Sequence, residues 1–552
     1  MIRLLLLLPL AVACANPEPA DKTNSGDLPD TADTADTADT ADTADTADTA
    51  DTADTADTAE PAPWDLFDTQ LAADLAANQA HAVSAVVMVG GEVVHEVQLG
   101  VRDPSTGEAP GPDTLFAIGS STKVLTALGV LSLVQRDRLG LHDPLSTVLP
   151  ELSFLYYRDI TDDLTLHHLL THQSGIQDLL PESLDTTDEA LAQIAYGEFG
   201  DAVRFHAPPG QFWNYSNPNF SLAGLIHEEL VGRFWADLIT ERVLLPVGMT
   251  GCLPRGRDVE ASGNYSVGNG VTIVGEPDDH IGPTDFDPAF SRPAGFVWCR
   301  PIDMAHLGHF LMHGDEAILA DSLRQEVVTG QVSMRSMLDH QQYGYGMMVL
   351  DGLFVGRGEW HSTPIYTHGG NTLSHTSTFF MMPEHDAVIS ILSSGLGDDF
   401  GASVVQAMAN TGVFDDGPDE APDLRIDPAS LADAVGHWDD PLGILGDMYI
   451  TLEGDTLAVV LPDLDAAGIS YGAELEPYLP DVYILRVAGN PYDLTFLEDV
   501  EEPDGPSRWA RNRSFVLERA ETGLLLPHPT HPVTGPDPRY VFRPTFGMPR
   551  LP

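Results

Sequence analysis

Apolar positions along this chain fall into three regimes. Ala85 to Val89, then Gly90-Gly91, then Glu92 to Leu99 set two apolar-rich runs across a glycine pair, and Ser377 to Met382 with Ala387 to Leu392 repeat the arrangement much later. Both predict β-hairpins. Helical patterns fill the sequence between them. The run Val124, Leu125, Ala127, Leu128, Val130, Leu131, Leu133 and Val134 is apolar on nearly all sides, which predicts a buried helix beginning near Ser120. Pairing of the two hairpins in one antiparallel sheet, with that helix behind it, gives an α+β unit over residues 65–415. After Asp415 the composition turns to Asp, Pro and Gly, a domain boundary. Beyond it, Met448 to Leu452, Thr456 to Leu461, Val482 to Val487, Asp493 to Phe496 and Ser514 to Leu517 read as short strands joined by turns. Residues 425–552 are therefore expected to form a small all-β domain, a barrel or a sandwich.

The first 64 residues belong to neither unit. Arg3 precedes the apolar runs Leu4 to Leu8 and Leu10 to Val12, and Ala11-Val12-Ala13-Cys14 follows. This is the pattern of a bacterial lipoprotein signal over residues 1–14, with cleavage before Cys14 and lipid on its sulfur. Leucine usually stands at the position of Ala11, and here Leu10 lies one place early, so ordinary cleavage after Ala13 is the second reading. Either way the product is exported. Residues 15–64 then form an acidic, disordered tether, in which Thr31 to Glu60 are ten Thr-Ala-Asp/Glu triplets with no residue large enough to build a core. Fully drawn out, the stretch from Cys14 to Asp65 spans up to roughly 160 Å. No later segment reaches the roughly eighteen apolar residues of a membrane helix, so lipid on Cys14 is the only membrane attachment expected.

Charge narrows the partners. With 84 acidic against 26 basic residues and a formal net charge of −58, nucleic acid is repelled, and nothing basic is clustered to overcome it. Export also exposes Cys252 and Cys299 to oxidising conditions, where they form either a bridge or two separate buried thiols.

Only two of the basic residues are lysines: Lys22 in the tail and Lys123, three residues after Ser120 in Phe116-Ala-Ile-Gly-Ser-Ser-Thr-Lys123. Arginine keeps its proton at any working pH, whereas a desolvated lysine can lose one and act as a base. Three residues apart at the start of a helix, Ser120 and Lys123 share a face at the positive end of the helix dipole. Ser-x-x-Lys alone is a weak signal. It gains weight from Tyr215-Ser-Asn217, ninety-five residues on from Ser120, and from Tyr366-Thr-His368-Gly369-Gly370-Asn371. On these motifs, in this order, the chain resembles the serine β-lactamase and penicillin-binding-protein superfamily, in particular the branch of class C β-lactamases, D-stereospecific peptidases and related esterases. Leu164 to Gly175, Leu245 to Met249, Pro293 to Gly295 and Ile302 to Ala305 are further stretches similar to that family, and the likeness covers roughly residues 65–415.

The resemblance implies a β-lactamase/transpeptidase-like fold: an antiparallel sheet flanked by helices plus an all-helical part, with the site between them, no cofactor, and a lipocalin-like C-terminal barrel. It also implies roles. Ser120 attacks a carbonyl to form an acyl-enzyme, and Lys123 and Tyr215 move its proton. Asn217 orients Lys123 and the substrate, and the backbone N–H groups of Ser120 and Asn371, beside Gly369 and Gly370, form the oxyanion hole. The sequence departs from the β-lactamase pattern at His368, where those enzymes carry lysine. A histidine there either contacts substrate or simply closes the site; as a contact it predicts affinity for acidic substrates falling between about pH 6 and 8. His168 and His172 lie four apart without a third ligand placed by spacing, which favours packing over zinc ligation, so no metal is expected. The chain has no His-Glu-x-x-His, and its one Gly-x-Ser-x-Gly, Gly468 to Gly472, lies in the expected all-β part rather than between a strand and a helix, which disfavours a metalloprotease or an α/β-hydrolase. The expectation is an exported serine hydrolase acting on an amide or ester, either a D-amino-acid peptide or a carboxylic ester, against a non-hydrolysing penicillin-recognising or scaffold protein of the envelope. The C-terminal domain offers no readable chemistry.

Overall fold

The computed structural model describes residues 63–522, apart from 158, 336–340, 357, 425, 427–429 and 480. The expected signal, Cys14 and the triplet repeats lie outside the described residues. A nine-stranded antiparallel sheet carries the larger unit, running in space from Glu92–Gly100 through Ala82–Val89, Ala387–Ser393, Thr376–Met382, Ile365–Thr367, Met348–Leu350 and Gln341–Tyr343 to Val332–Ser333, with Gly370–Asn371 paired onto Thr376–Met382. The two hairpins join as expected: Val83 lies opposite Ser393 and Val89 opposite Ala387.

Alternation along these strands decides which face meets which layer. Val83, Ala85, Val87, Phe380, Met382, Ile389 and Ile391 pack against Phe67 and Leu71 of helix Pro63–Asn78 and against Val404 and Met408 of helix Gly401–Asn410. Val86, Met88, Phe379, Met381, Val388 and Leu392 turn the other way, into the core that holds Val124, Leu125 and Leu128. Each such buried side chain contributes about 1.5–3 kcal/mol, and a one-residue slip would carry the whole set to the wrong face, so the register is firmly held.

The serine segment differs from the expectation in one respect. Ser120 sits in a 3₁₀ turn, Gly119–Ser121, and the α-helix proper runs Thr122–Val134. Gly119 holds φ at +50°, a left-handed conformation costly for other residues, so the chain enters the helix through a tight turn rather than a straight start. Every residue from Thr122 to Leu133 is buried, as the all-round apolar pattern requires.

The C-terminal unit is a closed eight-stranded barrel, since Gly436–Asp439 pairs with both Met448–Glu453 and Val516–Arg519. A sandwich is thereby set aside. Its core includes Trp438, Ile450, Leu485, Leu494 and Phe496. Three strands escaped the sequence pattern: Gly436–Asp439, Glu474–Leu479 and Trp509–Arg511. Glu474–Leu479 carries Pro477 between charged and exposed positions, and the other two are too short to show a period. The barrel is seated on the larger unit through Leu497, Trp509 and Val516, which pack with Ala207 and Phe212. Among the described residues no helix is long and apolar enough to cross a membrane.

Candidate functional site

Two glycines bring the serine turn against the sheet. A Cβ on Gly370 would lie 2.0 Å from the Ile118 carbonyl oxygen and 2.6 Å from the Ser120 nitrogen, and one on Gly119 would lie 2.5 Å from the Asn371 nitrogen. Only bare backbone allows that approach. Ser121 Oγ donates to the His368 carbonyl at 2.7 Å and Ser377 Oγ to the Ile118 carbonyl at 2.7 Å, which pins the turn to the strands. Helix Asn217–Val231 delivers the second group of residues, with Tyr215 and Ser216 just before its first turn.

Lys123 Nζ is the centre of the arrangement. It lies 3.0 Å from Ser120 Oγ, 2.7 Å from Asn217 Oδ1 and 2.7 Å from the Ala294 carbonyl oxygen. The side chain is fully buried. Burial pushes its pKa well below the usual lysine value; Asp178 works against this shift and Arg513 with it. A neutral amine has two hydrogens and one lone pair. The Asn217 and Ala294 oxygens can only accept, so they take both hydrogens and leave the lone pair directed at Ser120. Tyr215 hydrogen-bonds Ser120, and its phenol pKa is raised by burial, with Arg513 opposing. The phenol therefore stays protonated and can pass a proton on, but does not hold a negative charge at rest.

His172 braces Tyr215. Its ring lies 4.3 Å from that of Tyr215 and 5.0 Å from that of Tyr343. The Ser216 N–H donates to His172 Nδ1 at 3.1 Å, so the ring proton is on Nε2. His168 instead packs beside His167, and the two histidines singled out by their spacing do not converge on one point.

Of the two readings open for His368, the geometry favours the one in which it closes the site. It is buried at 2% exposure, and its ring is absent from the walls of the cleft. Its Nδ1 donates to the Gly369 carbonyl at 2.6 Å, which leaves Nε2 to accept from the Tyr343 hydroxyl at 3.0 Å. Burial, with Lys123 adding to it, pushes its pKa down to about 3. The imidazole is neutral throughout the range in which an exposed histidine would titrate, so the expected change between pH 6 and 8 has no source here.

The cleft is a shallow one open to solvent. Ser120, Asn217 and Asn371 supply its polar edge, and Leu180, Phe286, Phe296 and Leu373 line the rest. Two charged residues that the sequence did not reveal stand behind this edge. Asp178 Oδ1 accepts from the Asn217 backbone N–H at 2.8 Å and from its side-chain Nδ2 at 3.1 Å, which fixes Oδ1 of the amide toward Lys123. Arg513, in the turn before the last barrel strand, donates to Asp178 Oδ2 from Nε at 2.9 Å and from Nη2 at 2.5 Å, with its guanidinium 4.4 Å from the Tyr215 ring centre. Arg511, the last residue of strand Trp509–Arg511, donates to the carbonyls of Trp213 and Met334. The signal available was two arginines flanking Asn512 in a chain of strongly acidic charge. Cys252 and Cys299 are bridged, with Cα atoms 4.2 Å apart.

An antiparallel sheet flanked by helices, with Ser120 at the cleft and Lys123 and Tyr215 buried behind it, is the architecture of the β-lactamase/transpeptidase-like class of α+β proteins. The profile of the Beta-lactamase family matches residues 67–411, and the chain belongs to that family. Its relatives include Protein flp of Staphylococcus aureus (strain NCTC 8325 / PS 47), 26% identical over 43% of this chain and 47% of that protein. They also include Penicillin-binding protein 4 of Amycolatopsis lactamdurans, 27% identical over 60% of this chain and 86% of that protein. The matched part thus spans about half the length of the first of these. Among solved structures, SurE superposes with a TM-score of 0.61 at 20% identity, covering 83% of this chain and 99% of that one, a likeness of fold that extends across the barrel.

Proposed function

We propose that this protein is an exported serine hydrolase that cleaves an amide or ester through an acyl-enzyme on Ser120, with an uncharged acyl group in the cleft. The observation that carries the reading is the fully buried Lys123 amine, whose two hydrogens are committed to Asn217 and Ala294 and whose lone pair faces Ser120 Oγ. In the first step Lys123 takes the Ser120 proton as Oγ bonds to the carbonyl carbon. Charge on the carbonyl oxygen is met by the backbone N–H groups of Ser120 and Asn371, which border the cleft. The tetrahedral adduct then expels the alcohol or amine, which receives its proton from the Tyr215 phenol, itself resupplied by Lys123. Water enters, gives its proton to the same pair and releases the acid, restoring Ser120.

Substrate class follows from the walls. Phe286, Phe296, Leu180 and Leu373 favour an apolar acyl group, and neutral His368 offers no cation to a substrate carboxylate. An ester or an amide of an apolar amino acid, a D-residue included, fits better than a β-lactam with its carboxylate. Labelling with a fluorophosphonate and with fluorescent penicillin, in wild type and Ser120→Ala, followed by release kinetics, tests the reading. Rapid turnover of esters with both labels confined to Ser120 is expected; a penicilloyl label that stays bound in a protein that hydrolyses no ester or amide would make it an acceptor without turnover, and label that persists in Ser120→Ala would remove Ser120 from the chemistry. Export and lipid attachment rest on the N-terminal sequence pattern, and radiolabelled palmitate should enter the wild type but not Cys14→Ala.

A further inference from the structure

A second cluster of side chains lies at the other end of the main sheet and plays no part in the chemistry above. His309 and His313 stand four residues apart at the C-terminal end of helix Pro301–His313, one turn from each other on one face, with ring centres 4.4 Å apart. Asp386 reaches them from a different element, the tight turn between strands Thr376–Met382 and Ala387–Ser393, where its backbone is left-handed with φ at 47°. Its Oδ1 lies 2.6 Å from His313 Nε2. One nitrogen or oxygen from each of the three residues falls within 4.8 Å of the other two. His309 Nδ1 is buried and has no hydrogen-bond partner. Leaving a polar atom buried and unpaired costs about 1–3 kcal/mol, so the arrangement is incomplete as a set of hydrogen bonds alone.

We propose that His309, His313 and Asp386 form a binding site for a divalent transition-metal ion of the zinc class, held by two imidazole nitrogens and one carboxylate oxygen. The donor set decides the metal. Calcium and magnesium prefer oxygen ligands, whereas two imidazoles with a single carboxylate suit zinc and its first-row neighbours. Bonds of about 2.0–2.2 Å would sit between these atoms after the His313–Asp386 contact opens by less than about an ångström. His313 and Asp386 are 47% and 40% exposed, which gives an ion a route in and leaves room for water as a further ligand. Bound there, the ion would tie the end of the helix to the hairpin turn. The seven residues of strand Thr376–Met382 separate this turn from the Ser120 end, on the order of 20 Å, so the role is structural and independent of the hydrolytic reading. A third grouping in the barrel, His437 with Asp439 and Asp447, has one imidazole. That ring's Nε2 already contacts both carboxylates, at 3.2 and 3.3 Å, and the ring stacks on Tyr449, so none of its three groups lacks a partner.

The test uses the full chain freed of metal with a chelator, then titrated with zinc by calorimetry and with cobalt(II) by visible absorption. Wild type is compared with His309→Gln, Asp386→Asn and, as a control, His437→Gln. Asparagine tolerates the left-handed backbone at 386, so that variant keeps the turn even if the helix variant folds poorly. Melting of each variant in chelator reports whether the fold is intact. Expected is one zinc per chain, an affinity at least about tenfold weaker in His309→Gln and Asp386→Asn, and no change in His437→Gln. Zinc should raise the melting temperature of wild type and of the control only. The proposal is overturned if no zinc binds at micromolar concentration, if all three variants bind like wild type, or if His437→Gln alone loses the ion.

Discussion

Replacing Arg513 by alanine is the sharpest probe of the candidate site, because the residue belongs to the barrel yet acts on charges around Ser120. The guanidinium gives Asp178 two charge-assisted hydrogen bonds, at 2.9 and 2.5 Å, and both side chains are nearly buried, at 15% and 12% exposure. Breaking such a pair by removing one partner costs about 3–5 kcal/mol, much of it from the carboxylate left uncompensated. Catalysis suffers by a separate route. Asp178 raises the Lys123 pKa and Arg513 lowers it, so Arg513→Ala changes the balance in one direction, toward a protonated and therefore inactive amine. Asp178 also loses the contact that holds it while it orients Asn217, and misplacement of about an ångström is worth about a hundredfold in rate. We expect kcat/KM for a p-nitrophenyl ester to fall about a hundredfold at neutral pH, roughly 2.7 kcal/mol of transition-state stabilisation. We also expect the acid limb of the pH profile to move to higher pH. Arg513→Lys keeps the charge but not the two-pronged geometry, and should restore the limb more fully than the rate. An Arg513→Ala protein that stays folded, with wild-type rate and an unmoved acid limb, would refute the reasoning.

Lys123→Arg should lower kcat/KM by at least about a thousandfold at every accessible pH, because guanidinium does not release its proton and so cannot serve as a general base. In wild type, kcat/KM should rise with pH through a limb lying well below the ordinary lysine pKa, since burial holds the amine neutral; a limb near the value of free lysine would contradict the site. Affinity for acidic substrates should be flat between about pH 6 and 8, as His368 is neutral above about pH 3, and a binding titration across that range checks it. Gly370→Ala should abolish turnover, because its Cβ would fall 2.0 Å from the Ile118 carbonyl and force the serine turn away from the strand, which single-turnover kinetics on the folded variant would reveal. Reducing the Cys252–Cys299 bridge opens a loop with a sequence separation of 47 residues and should destabilise the fold by about 4 kcal/mol in the chain-entropy model, read by denaturant unfolding with and without reductant.

What the sequence revealed was what depends on short range. The hairpins at Ala82–Gly100 and Thr376–Ser393 were legible because apolar runs closed by a short turn, Gly90-Gly91 in the first and Pro383 to Asp386 in the second, are local, and the helix behind Ser120 because its apolar residues leave no polar face. Ser120 and Lys123 stood out through spacing and through the rarity of lysine. At His368 the sequence marked a departure from the family pattern but left its environment open, because its neutral state comes from burial against Tyr343, twenty-five residues away in sequence. Asp178 and Arg513 were invisible for a stronger reason. Each is one of many acids or arginines, and only a contact spanning 335 residues tells them apart. The walls supplied by Phe286 and Phe296 come from a segment without a period, so their convergence belongs to tertiary structure alone.

That long contact bears on how the amine can be kept neutral. Burying a lysine lowers its pKa, but a carboxylate placed to orient Asn217 would reverse much of the effect if it stood alone. The larger unit has one lysine, Lys123 itself, and many acids, so a compensating positive charge has to come from an arginine that can pair with Asp178 without touching Lys123. The barrel provides it. Leu497, Trp509 and Val516 seat the barrel against Ala207 and Phe212, and this packing fixes the turn that carries Arg513 over the Tyr215 ring. The apolar seat and the ion pair are therefore two halves of one device. The first holds the guanidinium in register, and the second lets a carboxylate align the asparagine without returning a proton to the base.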